Sequence, residues 1–301
     1  MRDLRGPRFG LLGIVWIGTS FVIAFGAGSS KDDAMTATCE RTRPLTWLIQ
    51  ANMRDQALRQ KVEAALDRLG EHHHAVDLVP FSPAIPELPF PADERSLVCM
   101  GPSFVPRVAL ETTWQPGIYF EPATFRWSVM AEYWHGLMFT PDGAVATARL
   151  VLEELDASGP LFVRPDEDSK AFDGGAYADA STLRAALGRH DLGMAVVRGR
   201  AAAVDAEWRC FVVGNRIVDA SEYRRAGNPS LHRGAPPRVL DLVDEALARW
   251  SPATATCIDV ASSGDRFGIV EANCFNAARF YAADAETVLA AVAASVRASH
   301  V

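Results

Sequence analysis

The 301-residue chain has no CxxC pair, no internal repeat, no low-complexity tract and no surplus of positive charge. Its five cysteines (39, 99, 210, 257 and 274) are odd in number and lack metal-ligand spacing, which argues against a disulfide frame or a cysteine-based zinc site. They read as reduced, mostly buried small side chains. Cys274 has no base near it in sequence and is taken as a packing residue rather than a nucleophile. His72, His73 and His74 are consecutive, and three consecutive side chains of a strand or helix do not converge on one metal. They are predicted to lie in a solvated turn between a helix and a strand. The formal charge is −7; residues 1–34 hold four basic and three acidic side chains, and without them 26 basic face 34 acidic, a net −8. That balance argues against general nucleic-acid binding and leaves room only for a local basic pocket. With 49% hydrophobic and 22% charged residues, the composition is that of a globular protein with ample material for a core.

One long uncharged run is present, at residues 9–28, and three arginines precede it. Its length suffices to cross a bilayer, and it also resembles a signal sequence. The favoured expectation is that residues 1–34 lie upstream of the true start and that Met35 opens a cytoplasmic chain. The alternative is a membrane anchor, with membrane contact only if residues 9–28 are expressed. A native N-terminal peptide that begins upstream of Met35 would contradict the first expectation.

From Leu45 the pattern is α/β. TWLIQAN is a short apolar strand, and residues 55–70 place Ala57, Val62, Ala65, Leu66 and Leu69 on one helical side with Gly70 at the stop. AVDLVPF and SLVCMG predict two more strands, so residues 45–120 suggest a small parallel sheet. The proline-rich residues 80–91 read as a surface loop. Phe125, Trp127, Tyr133 and Trp134 read as core, and residues 144–155, 237–250 and 285–299 as helices. LFVRP and residues 192–197 are strands, residues 198–205 a linker, and residues 207–224 a hairpin around Gly214 and Asn215.

Three stretches carry chemistry. In LFVRPDEDSKAFDGG, a strand delivers Arg164 and a polar loop delivers Lys170, Gly174 and Gly175. Glycine pairs let backbone amides turn toward an anion, and a lysine adds a point charge for phosphate; the alternative is an exposed turn. In EWRCFVVGNRIVDASEYR, Arg209 and Arg224 lie near the outer ends of two strands, where an anion between them suits bidentate guanidinium geometry. The alternative is a pair of rim salt bridges with Glu207 and Glu222. CIDVASSGDRFGIVEANCFN places Asp259 and Glu271 in otherwise apolar strands, with Asn273 on the face of Glu271. If the hairpin pairs Asp259 with Glu271, leaving about five residues in its loop, three oxygen-bearing groups converge. Facing carboxylates repel unless a cation joins them, and hard oxygen ligands suit magnesium. The alternative is an amphipathic hairpin with its acids in water.

Taken in order, VRPDEDSKAFDGG, EWRCFVVGNRIVDASEYR, SLHRG, CIDV and VEANCFN resemble the ATP-grasp family of carboxylate–amine ligases, over about residues 45–298. Residues 207–234 resemble especially its ribosomal-protein glutamate ligase branch. The whole pattern is similar to a clade with arginine at the usual strand-lysine position. The resemblance implies an α/β fold of α+β subdomains. Residues 1–34 would be a hydrophobic leader or a spurious extension, residues 45–127 a pre-grasp α/β domain, 128–200 the lid, and 201–298 the larger subdomain with the metal motif. ATP would lie between the last two. By motif position, Arg164 would replace the phosphate-contacting lysine, with Lys170, Gly174 and Gly175 in a loop over the phosphates. Val196 and Val197 would stand at the adenine hinge, where the usual ribose-binding acid is missing and Glu207 substitutes. Asp259, Glu271 and Asn273 match the Mg2+ ligands, and Asn276 ends the motif. Arg209 and Arg224 would contact the transferred phosphate or the acyl phosphate. The family's earlier lid lysine has no clear counterpart before Leu161, with Arg149 only a placeholder. The implied activity is an ATP- and Mg-dependent carboxylate–amine, or carboxylate–thiol, ligase acting on small-molecule or peptide carboxylates and amines. The alternative is a nucleotide-binding module without turnover, in a regulatory or scaffold role.

Overall fold

The computed structural model describes residues 45–299 apart from 80–81, 85–86, 89, 91–95, 112 and 169–170. The expectations for residues 1–34 and for Lys170 therefore lie outside the described residues. Three sheets follow one another along the chain.

The first begins with β1 (Thr46–Gln50), which leads into α1 (Gln56–Leu69). Asp55 caps the helix by accepting from the Leu58 N–H at 3.0 Å, and Gly70 ends it at φ 68°, a left-handed conformation that suits glycine. β2 (His72–Val76), β3 (Leu97–Met100), α2 (Val105–Glu111) and β4 (Pro116–Gly117) follow, and the strands pair in parallel in the order β2-β1-β3-β4. The histidines form a strand rather than the expected turn: His72, His73 and His74 pair with Thr46, Trp47 and Leu48. An edge strand needs no apolar run, because pairing with β1 satisfies its backbone while its side chains stay partly in water. Among the described residues of AVDLVPF, Ala75 and Val76 are in a strand and residues 77–79 are not.

After α3 (Trp127–Tyr133) come β5 (Ala144–Thr147), α4 (Ala148–Ser158), β6 (Leu161–Pro165), β7 (Gly175–Tyr177), α5 (Ala180–Leu187) and β8 (Ala195–Arg200). The strands make an antiparallel sheet in the order β5-β8-β6-β7, packed on Val151, Leu155, Leu183 and Leu187 of the two helices. The expected helix over 144–155 starts late, because Ala144–Thr147 pairs with β8 and Thr147 then caps α4 by accepting from Leu150 N–H. β8 extends to Arg200, into the expected linker, because β6 pairs with it along its length.

The third sheet holds β9 (Ala206–Val213), β10 (Arg216–Arg225), β11 (Asn228–Arg233), β12 (Ala255–Ser263) and β13 (Arg266–Cys274), antiparallel in the order β11-β10-β9-β12-β13. Helix α6 (Pro237–Arg249) lies between β11 and β12 in sequence, and α7 (Ala285–Ser299) closes the described chain. Period-two alternation divides the central strands between two cores. Trp208, Cys210, Val212, Ile258 and Val260 pack with Val239 and Val243 of α6 and with Trp134. Phe211, Val213, Ala255 and Cys257 pack with Val288 and Val292 of α7, Val62 of α1 and Trp47 of β1. Phe125, Trp127 and Trp134 are buried as expected, while Tyr133 is half exposed and stacks on Trp250. Among the described residues no helix is long and apolar enough to cross a membrane.

Candidate functional site

The third sheet lines up charge across three neighbouring strands. Arg209 of β9 is the register partner of Asp259 on β12, and Asp259 faces Glu271 on β13. Arg209 alternates with Trp208 and Cys210, and Asp259 with Ile258 and Val260, so both side chains belong to the face that α7 covers.

Two bulges aim further side chains at the same place. Asp259 pairs with Glu271 but Val260 pairs with Ile269, so Val270 is an extra residue. Ile269 and Ala272, three positions apart, both pack in the α6 core, and the slip lets both Val270 and Glu271 line one cavity of about 700 Å³. On β10, Glu222 pairs with Trp208 and Arg224 with Glu207, which leaves Tyr223 as the extra residue. Tyr223 and Arg224 both line the cavity as a result. The β12–β13 turn is also tighter than about five residues: Ser263 pairs with Arg266 across Gly264 and Asp265.

The polar groups form a connected set. Arg209 forks onto Asp259, with Nε donating to Oδ1 at 2.8 Å and Nη2 to Oδ2 at 2.7 Å. The Asn273 amide donates to Asp259 Oδ2 at 3.0 Å and to Glu271 Oε1 at 3.1 Å, and so stands between the carboxylates. Arg164 reaches across from β6: its Nη2 donates to Glu271 Oε2 at 2.6 Å and its Nη1 to the Val270 carbonyl at 3.4 Å. Arg224 lies 2.9 Å from Glu207. The Arg209 guanidinium also sits 5.3 Å from the Tyr281 ring, which stacks on Tyr223 at 4.8 Å.

Burial opposes the Arg209 charge, but the Asp259 carboxylate outweighs it and holds the guanidinium protonated well above its ordinary range. Burial raises the Glu207 carboxyl above the usual glutamate value, against the pull of Arg224. Burial also raises the Tyr223 and Tyr281 hydroxyls, so both stay protonated at neutral pH.

Of the residues singled out in the sequence, Arg164, Gly174, Glu207, Arg209, Arg224, Asp259, Glu271 and Asn273 line this cavity. A β-carbon on Gly174 would stand 3.0 Å from that of Arg164, so glycine leaves room for the guanidinium stem. Gly175 opens β7. Val196 and Val197 do not reach the cavity: they are fully buried in β8 and pair with both β5 and β6, which occupies their backbone. Their side chains enter the two opposite cores. Arg149 lies exposed on α4, away from the cavity wall. Arg209 and Arg224 each have their own carboxylate rather than one shared partner, and Glu222 pairs with Arg225 and Ser230. Asn276 is a strut: it donates to the Cys99 carbonyl at 2.6 Å and accepts from the Tyr119 N–H at 2.7 Å, which ties the hairpin to the first sheet. Cys99, Cys210 and Cys257 are free thiols, and all three are buried, as is Cys274.

Sequence reading missed Tyr223, Arg279 and Tyr281 on the cavity wall. It also missed a small recess between Phe162, Arg200, Ala202, Val204, Glu207 and Val270, where the chain passes from β8 to β9. The Asp259 and Glu271 carboxylates both lie within hydrogen-bond reach of the Asn273 amide nitrogen, and carboxylate oxygens are the donor type that suits magnesium. Four guanidiniums on the same walls, of Arg164, Arg209, Arg224 and Arg279, fit a polyphosphate.

Residues 145–291 match the family described as ATP-grasp domain, R2K clade family 2. No curated protein matches the chain. The structure of the ATP-grasp ligase PsnB complexed with precursor peptide PsnA2 and AMPPNP is 13% identical with a TM-score of 0.52, covering 85% of this chain and 98% of that one. A RimK domain ATP-grasp protein from Sphaerobacter thermophilus is 14% identical with a TM-score of 0.55, covering 81% and 99%. D-alanine–D-alanine ligase from Bacillus anthracis is 14% identical with a TM-score of 0.53, covering 86% and 100%. At such identities the likeness is one of fold.

Proposed function

The chain is an ATP-grasp protein, and on that premise we propose that it is an ATP- and magnesium-dependent ligase joining a carboxylate to an amine. One observation carries the reading: Asp259, Glu271 and Asn273 meet guanidiniums from two different sheets in a single polar cavity. Residues 45–127, 128–200 and 201–298 are then the pre-grasp, lid and larger subdomains. Asp259, Glu271 and Asn273 hold magnesium, which when bound neutralises phosphate oxygens. Arg164, Arg209 and Arg224 face the phosphate charge, and Arg209 is positioned for it by its fork onto Asp259. The recess after β8, walled by Phe162, Val204 and Val270, takes the base, and Glu207 beside it takes the ribose.

The substrate carboxylate oxygen attacks the γ-phosphorus, the bond to the β–γ bridging oxygen breaks, and ADP leaves. The amine nitrogen then attacks the acyl carbon, the bond to phosphate oxygen breaks, and phosphate departs with the amine proton. Neither step needs a serine, cysteine or histidine nucleophile, in keeping with Cys274 being buried. A thiol is an acceptor by the same displacement. PsnB, a ligase in complex with a peptide, and a ligase of D-alanine support peptides and amino acids as the substrates to screen.

The test is ADP release across the amino acids and short peptides, with mass spectrometry of the product. The expected result is release that requires both an acid and an amine, and a product equal to their sum less one water. Magnesium-ATP binding without turnover on a broad panel would instead favour a nucleotide-binding module. The absence of an acidic residue at Val196 and Val197 is the observation behind that second reading.

A further inference from the structure

Tyr281 lies between β13 and α7 and is held at φ 51°, a left-handed conformation that a bulky L-residue seldom adopts. The chain around it is tied down residue by residue. The Lys61 ammonium of α1 donates to the Tyr281 and Ala283 carbonyls, each at 2.8 Å, and Asp284 and Asp219 act on its charge. The Ala282 N–H donates to Ser221 Oγ at 3.0 Å and the Asp284 N–H to Asp219 Oδ2 at 2.8 Å, both acceptors being on β10. A strained conformation persists only where its surroundings over-determine it, and such positions gather at functional sites. What this conformation delivers is the ring. Its centroid lies 4.8 Å from that of Tyr223, with 13° between the planes. The Arg209 guanidinium sits over both rings, 5.3 Å from the Tyr281 centroid and 5.9 Å from that of Tyr223. Asp259 takes only Nε and Nη2 of that guanidinium, so the fork leaves Nη1 for an anion in the cavity that Arg209 and Tyr281 both line. Such a fork fixes one edge of the guanidinium plane. An aromatic face packed against the plane limits its tilt and attracts its charge.

We propose that Tyr281 is a positioning residue for phosphoryl transfer: its ring, set by the left-handed backbone, holds the Arg209 guanidinium so that Nη1 meets the transferred group. The assignment rests on the ligase reading, which gives Arg209 its anion. The ring acts through Arg209, and the Tyr281 hydroxyl takes no part. Phenylalanine therefore serves equally at this position, and a side chain without a ring does not. Because Lys61 comes from α1, the helix beside the first sheet helps to set an arginine of the third.

The experiment is calorimetric titration of magnesium-ADP into the full chain, with and without aluminium fluoride, which takes the place of a phosphoryl group in transfer. Wild type and Tyr281→Phe are expected to bind magnesium-ADP at least about tenfold more tightly with the fluoride than without it. Tyr281→Leu is expected to keep its affinity for magnesium-ADP and to lose most of that tightening. Tyr281→Asn, whose side chain suits the left-handed backbone, is a second ringless variant should leucine not fold, and the same result is expected of it. A merely structural role would instead lower stability in urea melts and leave the tightening of the folded protein intact. Full tightening in a ringless variant, or its loss in Tyr281→Phe, overturns the assignment and leaves the ligase reading standing. Tightening absent from wild type also overturns it, and the ADP-release screen then judges the ligase reading by itself. Failure of wild type to bind magnesium-ADP removes both.

Discussion

Arg209 and Arg224 share one chemistry and have opposite surroundings. The Arg209 side chain is 10% exposed and forked onto a buried aspartate, whereas that of Arg224 is 52% exposed beside Glu207. Arg209→Lys loses the planar fork and leaves one Asp259 oxygen short of a donor, so unfolding free energy should fall by about 1–3 kcal/mol. Arg224→Lys should change it by about 0–1 kcal/mol. In both variants ADP release should fall much more than nucleotide affinity, if the guanidiniums act on the transferred phosphate. Denaturant melts and ADP assays separate these effects, and normal turnover in both variants would return the arginines to a purely structural role. Glu207 supplies a pH test. Its folded pKa is raised from 4.5, so the folded state holds a proton that the unfolded state releases first. The stability it lends is present at acid pH and is lost as pH rises through the folded value. Glu207→Gln keeps the neutral shape, so relative to wild type it should gain stability as pH rises above 4.5. A stability difference that is flat with pH would contradict the burial argument. Asp259 and Glu271 were legible because acids interrupt apolar strands. Tyr223 and Val270 were not, because a bulge breaks the period of two on which such reading rests.

The β12–β13 hairpin shows at the scale of an element how pairing changes a sign. From sequence, two facing carboxylates repel, and Glu271→Gln should leave the metal-free protein as stable as wild type or more stable. In the structure each carboxylate already has a guanidinium and Asn273 joins them, so the glutamine variant weakens the bond to Arg164, whose side chain is 10% exposed. The variant should therefore be less stable without metal, by about 1–3 kcal/mol. Equal or higher stability in magnesium-free urea melts would show that Arg164 does not neutralise Glu271. That arginine could not be placed from sequence, since it arrives from β6, more than a hundred positions upstream. Helix α1 was legible almost to the residue because its cap and stop are local, in Asp55 and Gly70. The strand at His72–Val76 was hidden because its formation depends on β1 rather than on its own residues.

Across the whole molecule, Asn276 couples the hairpin to the first sheet through Cys99, Gly117 and Tyr119. Asn276→Ala leaves three buried backbone groups without this partner and should cost about 3 kcal/mol or more. Cys99, which is fully buried, should then react faster with a thiol reagent than in wild type. Unchanged labelling and stability would mean that the first sheet docks without the strut. The first sheet was readable from strand and helix periodicity, whereas the division of the rest, with a site between the second and third sheets, followed only from the family resemblance, because no local pattern encodes which sheets face each other. On the proposed function, this cavity holds magnesium-ATP through Asp259, Glu271 and Asn273. Calorimetric titration of AMPPNP, with and without magnesium, into wild type and a folded Glu271→Gln variant tests it most directly. Wild type should bind strongly only with magnesium, and at a hundred times its dissociation constant the ligand should add about 2.7 kcal/mol of stability. The variant should lose most of that magnesium-dependent binding. Equal, magnesium-dependent affinity in the two proteins would remove Glu271 from the site and contradict the account.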